Sequence, residues 1–242
     1  MSKSFMNNLA FTLAETLIVM GIIGVVAALT LPNLNSSTGD KEKVTKLKKI
    51  YSDLNDAFGR AQAVYGPFDE WFLKDNNNAA KVSRYISRIE DFSKVTTDCG
   101  VVANAPCWKS THSTYSNTSN ARTFQLADGA SMYVINNVDD CVKNGHIWVD
   151  IDGPTKGSNK PGYDQFLFTV KNNEMVPAFG DDGQNAVSKC LSGIQSQSMD
   201  NIYCTKWIID YDNLDYLKAD SSGKCKNNQS IILDGTTNTT CK

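Results

Sequence analysis

The sequence predicts an α+β fold: a long N-terminal hydrophobic α-helix that continues into an amphipathic helix packed on an antiparallel β-sheet, followed by a cysteine-tied irregular C-terminal region. Three observations carry this. An apolar run extends from Phe11 almost to Pro32 without a charge after Glu15. A helical stripe follows over Val44–Tyr65, and alternating strand-like segments follow that. The order of helices first and strands second is that of an α+β domain with helices segregated to the sheet face.

The apolar run comes first. Phe11 to Leu31 is 21 residues of mostly Leu, Ile, Val, Met and Ala. At 1.5 Å per residue such a helix spans about 30 Å, the thickness of a bilayer's hydrocarbon core. Gly21 and Gly24 are points where a second helix can approach closely, and Pro32 stands where it would kink or end the helix. A secretory signal peptide has a shorter core and a small-residue cleavage site behind it, whereas Pro32-Asn33 follows here. A plain anchor fits the length but leaves Glu15 unexplained. An ionisable group inside an apolar segment is expensive unless paired, which marks Glu15 as a candidate functional residue.

Ala10-Phe11-Thr12-Leu13-Ala14-Glu15, the core Ile22-Ile23-Gly24-Val25-Val26-Ala27-Ala28 and Pro32 resemble the N-terminus of type IV pilins and type II secretion pseudopilins. The resemblance covers residues 10–32, about a tenth of the chain. It implies a leader, residues 1–10, cut between Ala10 and Phe11 by a prepilin peptidase, with methylation of the new amine. Residues 11–32 become a transmembrane and assembly helix in which Phe11, Glu15, Gly24 and Pro32 act, Glu15 pairing with the amine of a neighbouring subunit. Family members usually carry Gly where this chain has Ala10. The implied partners are identical or related pilin subunits, the prepilin peptidase and an inner-membrane assembly platform. The implied location is the bacterial inner membrane, single-pass, with a cytoplasmic N-terminus and a periplasmic or extracellular globular part, and a filament after processing. Lys41, Lys43, Lys46, Lys48 and Lys49 lie beyond the run and favour the opposite orientation; the resemblance and the cysteines outweigh them.

Asn33–Asp40 is polar and reads as a linker. Val44, Leu47, Tyr51, Leu54, Phe58, Ala61 and Tyr65 then recur at steps of three and four, widened by Ile50, Ala57 and Val64. That is an amphipathic helix stopped by Gly66-Pro67. Residues 33–66 thus form linker and helix, and 67–242 an exoplasmic globular domain. Phe68–Phe72 reads as a short helix or turn, and Ala79–Lys94 as a second amphipathic helix. Thr96–Asn120, rich in Ser, Thr and Asn, reads as a surface loop. Thr123–Leu126 and Ser131–Ile135 flank Asp128-Gly129, a hairpin signal. His146–Ile151, Gln165–Val170 and Glu174–Val176 are further strands. Beyond Asp181 the pattern is irregular, with a short helix or strand around Ile202–Ile208.

A formal net charge of −2 over 242 residues, with no basic stripe, excludes general nucleic-acid binding. Seven cysteines all follow residue 98 and form no C-x-x-C pair. Zinc or thioredoxin-type chemistry is thereby disfavoured, and disulfides in an oxidising compartment are favoured. Spacing does not fix their connectivity. Neighbours along the chain, Cys99 with Cys107, Cys190 with Cys204 and Cys225 with Cys241, are candidates, with Cys141 left over.

Asp150, Asp152 and Asp164 form the main acidic cluster. Such oxygens suit Ca²⁺, and major pseudopilins often carry calcium in a loop of the sheet; Asp-x-Asp-Gly equally makes an Asx-type turn. The two histidines, His112 and His146, suggest no triad, and no phosphate loop is present, so no enzymatic activity is expected. The function expected is a structural subunit of a type II secretion pseudopilus or type IV pilus-like filament. The alternative is a membrane-anchored exoplasmic binding or adhesin module that uses calcium.

Overall fold

The computed structural model describes residues 12–72, 78–100, 106–109, 121–135, 145–178, 184–196, 199–220, 222–231 and 241. Within them, side chains at 28–38, 72–82, 121, 135, 184–185 and 199–200 are not described. The chain divides into two compact units, Met1–Lys41 and Glu42–Lys242.

Helix α1, Leu13–Tyr65, is 53 residues long and continuous through Pro32 and the expected linker 33–40. A helix-interior proline costs about 3 kcal/mol through one lost N–H and a clash, which the long helical runs on both sides outweigh. From Val44 onward, Val44, Leu47, Ile50, Leu54, Ala57, Phe58 and Ala61 are buried in one core. Gly66 (φ 82°) ends the helix, its N–H donating to the Gln62 carbonyl at 2.9 Å.

A short 3₁₀ turn, Phe68–Phe72, and α2, Asn78–Glu90, follow. Phe58, Phe68, Trp71 and Tyr85 then pack as one aromatic cluster, with neighbouring centroids 5.4–6.3 Å apart. Six strands come next: β1 Val95–Gly100, β2 Ala121–Leu126, β3 Ser131–Ile135, β4 Ile147–Asp150, β5 Gln165–Lys171 and β6 Glu174–Pro177. They form one antiparallel sheet in sequential order. The β2–β3 hairpin turns at Asp128-Gly129, with Gly129 at φ 82° and the Leu126 N–H donating to the Ala130 carbonyl.

Burial without alternation in β4 and through Phe166, Leu167 and Phe168 of β5 means that both faces of the central sheet are covered. α1 lies over one of them: Tyr51 stacks on Phe168 at 5.3 Å, its hydroxyl donates to the Met175 carbonyl, and Gln62 donates to the Asn173 carbonyl. The C-terminal part, expected to be irregular, contains α3, Gln184–Ser196, and α4, Cys204–Tyr211, joined through a 3₁₀ turn, Met199–Tyr203. α4 meets β5 where the Leu167 N–H donates to Thr205 Oγ1 at 3.1 Å. A final 3₁₀ turn, Asp215–Leu217, places the Tyr216 hydroxyl on the Gly162 carbonyl at 2.7 Å.

Three expectations are corrected here. Residues 96–100, read as part of a surface loop, belong to strand β1; its mostly polar residues, half of them exposed, are held by pairing with β2 and not by an apolar face. Residues 184–196 are helical. The hydrophobic spanning helix is also corrected, and with it the pilin-like fold class. Among the described residues no helix is long and apolar enough to cross a membrane. What the molecule has is an α+β fold with a six-stranded antiparallel sheet and several helices.

Candidate functional site

The first site is the start of α1. Thr12-Leu13-Ala14-Glu15 is a capping box: the Thr12 N–H donates to Glu15 Oε2 at 2.8 Å, and the Glu15 N–H donates to Thr12 Oγ1 at 3.3 Å. The Thr12 hydroxyl also donates to Glu15 Oε2, at 2.8 Å. Glu15 therefore has a local job that its reading as a lone charge overlooked, although Thr-x-x-Glu stands plainly in the sequence. Its carboxylate is nevertheless exposed, with acceptor capacity left for a cation. The side chains behind it are apolar on every side of the helix. Leu13, Leu17, Ile18, Val19, Met20, Ile22, Ile23, Val25 and Val26 are 53–79% exposed. A Cβ at Gly21 or Gly24 would meet nothing within 4 Å. Ala10 and Phe11 lie outside the described residues, as does the side chain of Pro32.

The second site is the loop between β4 and β5. The structure brings Asp150, Asp152 and Asp164 together. The nearest carboxylate oxygens of Asp152 and Asp164 both lie within 2.5 Å of where a Cβ on Gly157 would stand, so only glycine, here at φ 66°, fits between them. Asp164 is fully buried and accepts hydrogen bonds from the N–H groups of Ser158, Asn159 and Lys160 and from the Ser158 hydroxyl. Asp150, also fully buried, accepts from the N–H groups of Asp152 and Gly153 on one oxygen and from Gln165 Nε2 on the other. Burial, opposed by the Gln165 bond and reinforced by the neighbouring Asp164 and Asp152, pushes the Asp150 carboxyl up to about 7.

Calcium wants six to eight oxygens. Here Asp150 and Asp164 accept from the N–H groups that shape the loop. Among the described residues no group of three His, Cys, Asp or Glu side chains could hold a metal ion. As arranged, the three carboxylates frame the turn between β4 and β5.

Disulfides join Cys99 to Cys107, Cys190 to Cys204 and Cys225 to Cys241. Cys141 lies outside the described residues, as does His112.

Comparison of the chain with protein-family models, curated proteins and solved structures gives no match. The single-pass inner-membrane placement of residues 11–32 does not survive the structure, because the described residues contain no helix able to cross a membrane. The transmembrane character expected of this segment falls with it.

Proposed function

We propose that this chain is a structural subunit of a filament of the type IV pilus or type II pseudopilus kind, assembled through the N-terminal part of α1. A prepilin peptidase removes residues 1–10, and the amine freed on Phe11 of one subunit pairs with Glu15 of the next. The observation that supports this most is the all-round apolar, exposed surface of α1 between Leu13 and Val26. A helix apolar on every side is one that works buried, and helices of neighbouring copies cover it in a filament. The Gly21 and Gly24 positions let those helices approach closely. Glu15 then serves twice: within its own chain as a cap, and between chains as a register charge that is costly to leave unpaired.

Glu15→Gln separates the two roles. Gln also completes a capping box, so the helix start survives while the charge is lost. The expected outcome is normal subunit levels with filaments reduced at least about tenfold, the loss of a few kcal/mol from a broken pair exceeding 1.4 kcal/mol per decade. Electron microscopy and sedimentation of sheared filaments read it. Normal filaments from this variant, or a mature protein that mass spectrometry finds still carrying residues 1–10, would overturn the proposal.

A further inference from the structure

The three disulfides differ in what a thiol can reach. Cys107, Cys190, Cys204, Cys225 and Cys241 are buried, whereas Cys99 is partly exposed. Its place in β1 accounts for this. Asp98 pairs with Phe124 and Gly100 with Thr123, so Cys99 is the extra residue of a bulge on the edge strand. A bulge at a sheet edge bends the strand and re-aims a side chain, and Gly100 supplies the bend at φ 68°. An exposed disulfide exchanges with thiols more readily than a buried one, because the attacking thiolate needs access to a sulfur.

On the other side of this bond, residues 106–109 form a strap that belongs to no strand of the sheet. Trp108 of the strap is buried on Tyr133 of β3, with centroids 4.9 Å apart, and the Lys109 carbonyl accepts from Gln165 Nε2 of β5. Tyr133 pairs with Trp148 and Trp148 with Leu167, so by strand alternation the strap lies on the sheet face opposite Phe168 and α1. The β1 side has its own anchor: the Asp98 carboxylate accepts from the Gly100 N–H at 2.8 Å and from Arg122 of β2. Cutting the disulfide therefore leaves β1 in place and takes the covalent tether from the strap. We propose that Cys99–Cys107 is a redox latch, opened by a dithiol reductant before the other two disulfides, and that its opening lifts Trp108 off Tyr133. One thiolate of the reductant attacks Cys99 Sγ; the S–S bond breaks and Cys107 leaves as a thiolate that takes up a proton. The second thiolate attacks the mixed disulfide, which frees Cys99 as a thiol and leaves the reductant as a disulfide. Two electrons and two protons thus pass to the chain. The latch works within the globular unit and does not rest on the filament reading.

The test uses the full chain dispersed in detergent, with Cys141→Ser so that the seventh thiol cannot exchange. Dithiothreitol is added at about pH 7.5, and thiols are alkylated at intervals and located by peptide mass spectrometry. Cys99 and Cys107 are expected to be labelled at least about tenfold faster than the other four. Hydroxyl-radical footprinting at that stage is expected to show modification of Trp108 and Tyr133 raised about fivefold, with Trp71 and Trp207 unchanged. The double variant Cys99→Ser with Cys107→Ser, which cannot latch, is expected to show the same footprint without reductant. Opening of another disulfide first, opening of all three together, protection of Trp108 unchanged after reduction and in the double variant, or an equal rise at Trp71 and Trp207 would each overturn the proposal.

Discussion

Two stretches of one helix treat their apolar residues in opposite ways. Between Leu13 and Val26 of α1, nine large apolar side chains are more than half exposed. Between Val44 and Ala61 the large apolar residues that form the stripe are buried. The backbone is the same regular helix in both. What differs is distribution: all round the helix in the first stretch, confined to one side in the second. A stripe is satisfied by one neighbour, and the sheet with its Tyr51–Phe168 stack provides it. An all-round surface needs several neighbours, and one chain does not supply them. Helical sequence therefore reports how many partners a segment requires, not only that it is helical.

The same kind of truncation separates the two stretches most sharply. Phe58 packs against Phe68 and Trp71 with centroids 5.5 and 5.6 Å away. Phe58→Ala is expected to destabilise the domain by about 3–5 kcal/mol, the loss of transfer free energy plus a cavity. Ile22→Ala, at 60% exposure, is expected to change stability by no more than about 0.5 kcal/mol. Urea denaturation followed by tryptophan fluorescence measures both. A large effect of Ile22→Ala in the dispersed chain would mean that the first stretch already has a partner within its own subunit, and the comparison would break.

Carboxylates extend the contrast. Glu15 is exposed and bonded to its own turn, whereas Asp150 is buried at the end of β4 beside Asp164 and Asp152. The folded state holds Asp150 near 7, well above the roughly 3.9 of an unfolded aspartate. Between about pH 4 and pH 7 the native chain binds a proton that the unfolded chain does not. This contribution to stability is full below pH 4 and is lost as pH rises through 7. Asp98 and Asp220, held low by Arg122 and by the Lys224 N–H respectively, act in the opposite sense at lower pH. The informative quantity is thus the difference between wild type and Asp150→Asn across that range. It is expected to shift by about 3 kcal/mol toward the variant from pH 4.5 to pH 8, read as urea midpoints. A flat difference would mean that Asp150 is charged throughout.

The parts of the fold visible in the sequence are those with a local cause. Leu47, Leu54 and Phe58 recur with the helix, and Asp128-Gly129 makes its own turn. Strand β1 was hidden because its residues, Val95-Thr96-Thr97-Asp98, lack alternation and depend on pairing with β2 across 20 intervening residues. Helix α3 was hidden differently. Ala186, Cys190, Leu191 and Ile194 do keep helical spacing, but Ser, Gln and Asn between them read as loop. In the sequence Cys190 reads as a disulfide candidate and not as a core residue. The convergence of Asp150, Asp152 and Asp164 was visible as spacing. The N–H groups that occupy them were not, because those bonds exist only once the loop over Gly157 closes.

The smallest expected effect probes the helix start alone. In the first turn of α1, Thr12 Oγ1 accepts from the Glu15 N–H. Thr12→Ala removes that acceptor, and an N-cap of this kind is worth about 1 kcal/mol. Because the flanking residues are exposed, nothing else compensates and nothing beyond that turn responds. Hydrogen exchange at the Glu15 amide is expected to quicken about fivefold, which corresponds to about 1 kcal/mol. Exchange in the buried stripe from Leu47 to Ala61 stays unchanged. Thr12→Asp, which restores an acceptor but sets a second carboxylate beside Glu15, is expected to recover only part of the protection. Equal slowing by Asp and Thr would show that the cap acts through its oxygen alone. Loss of protection as far as Leu47 in the Ala variant would show the opposite of what the two stretches display, a helix that stands or falls as one piece.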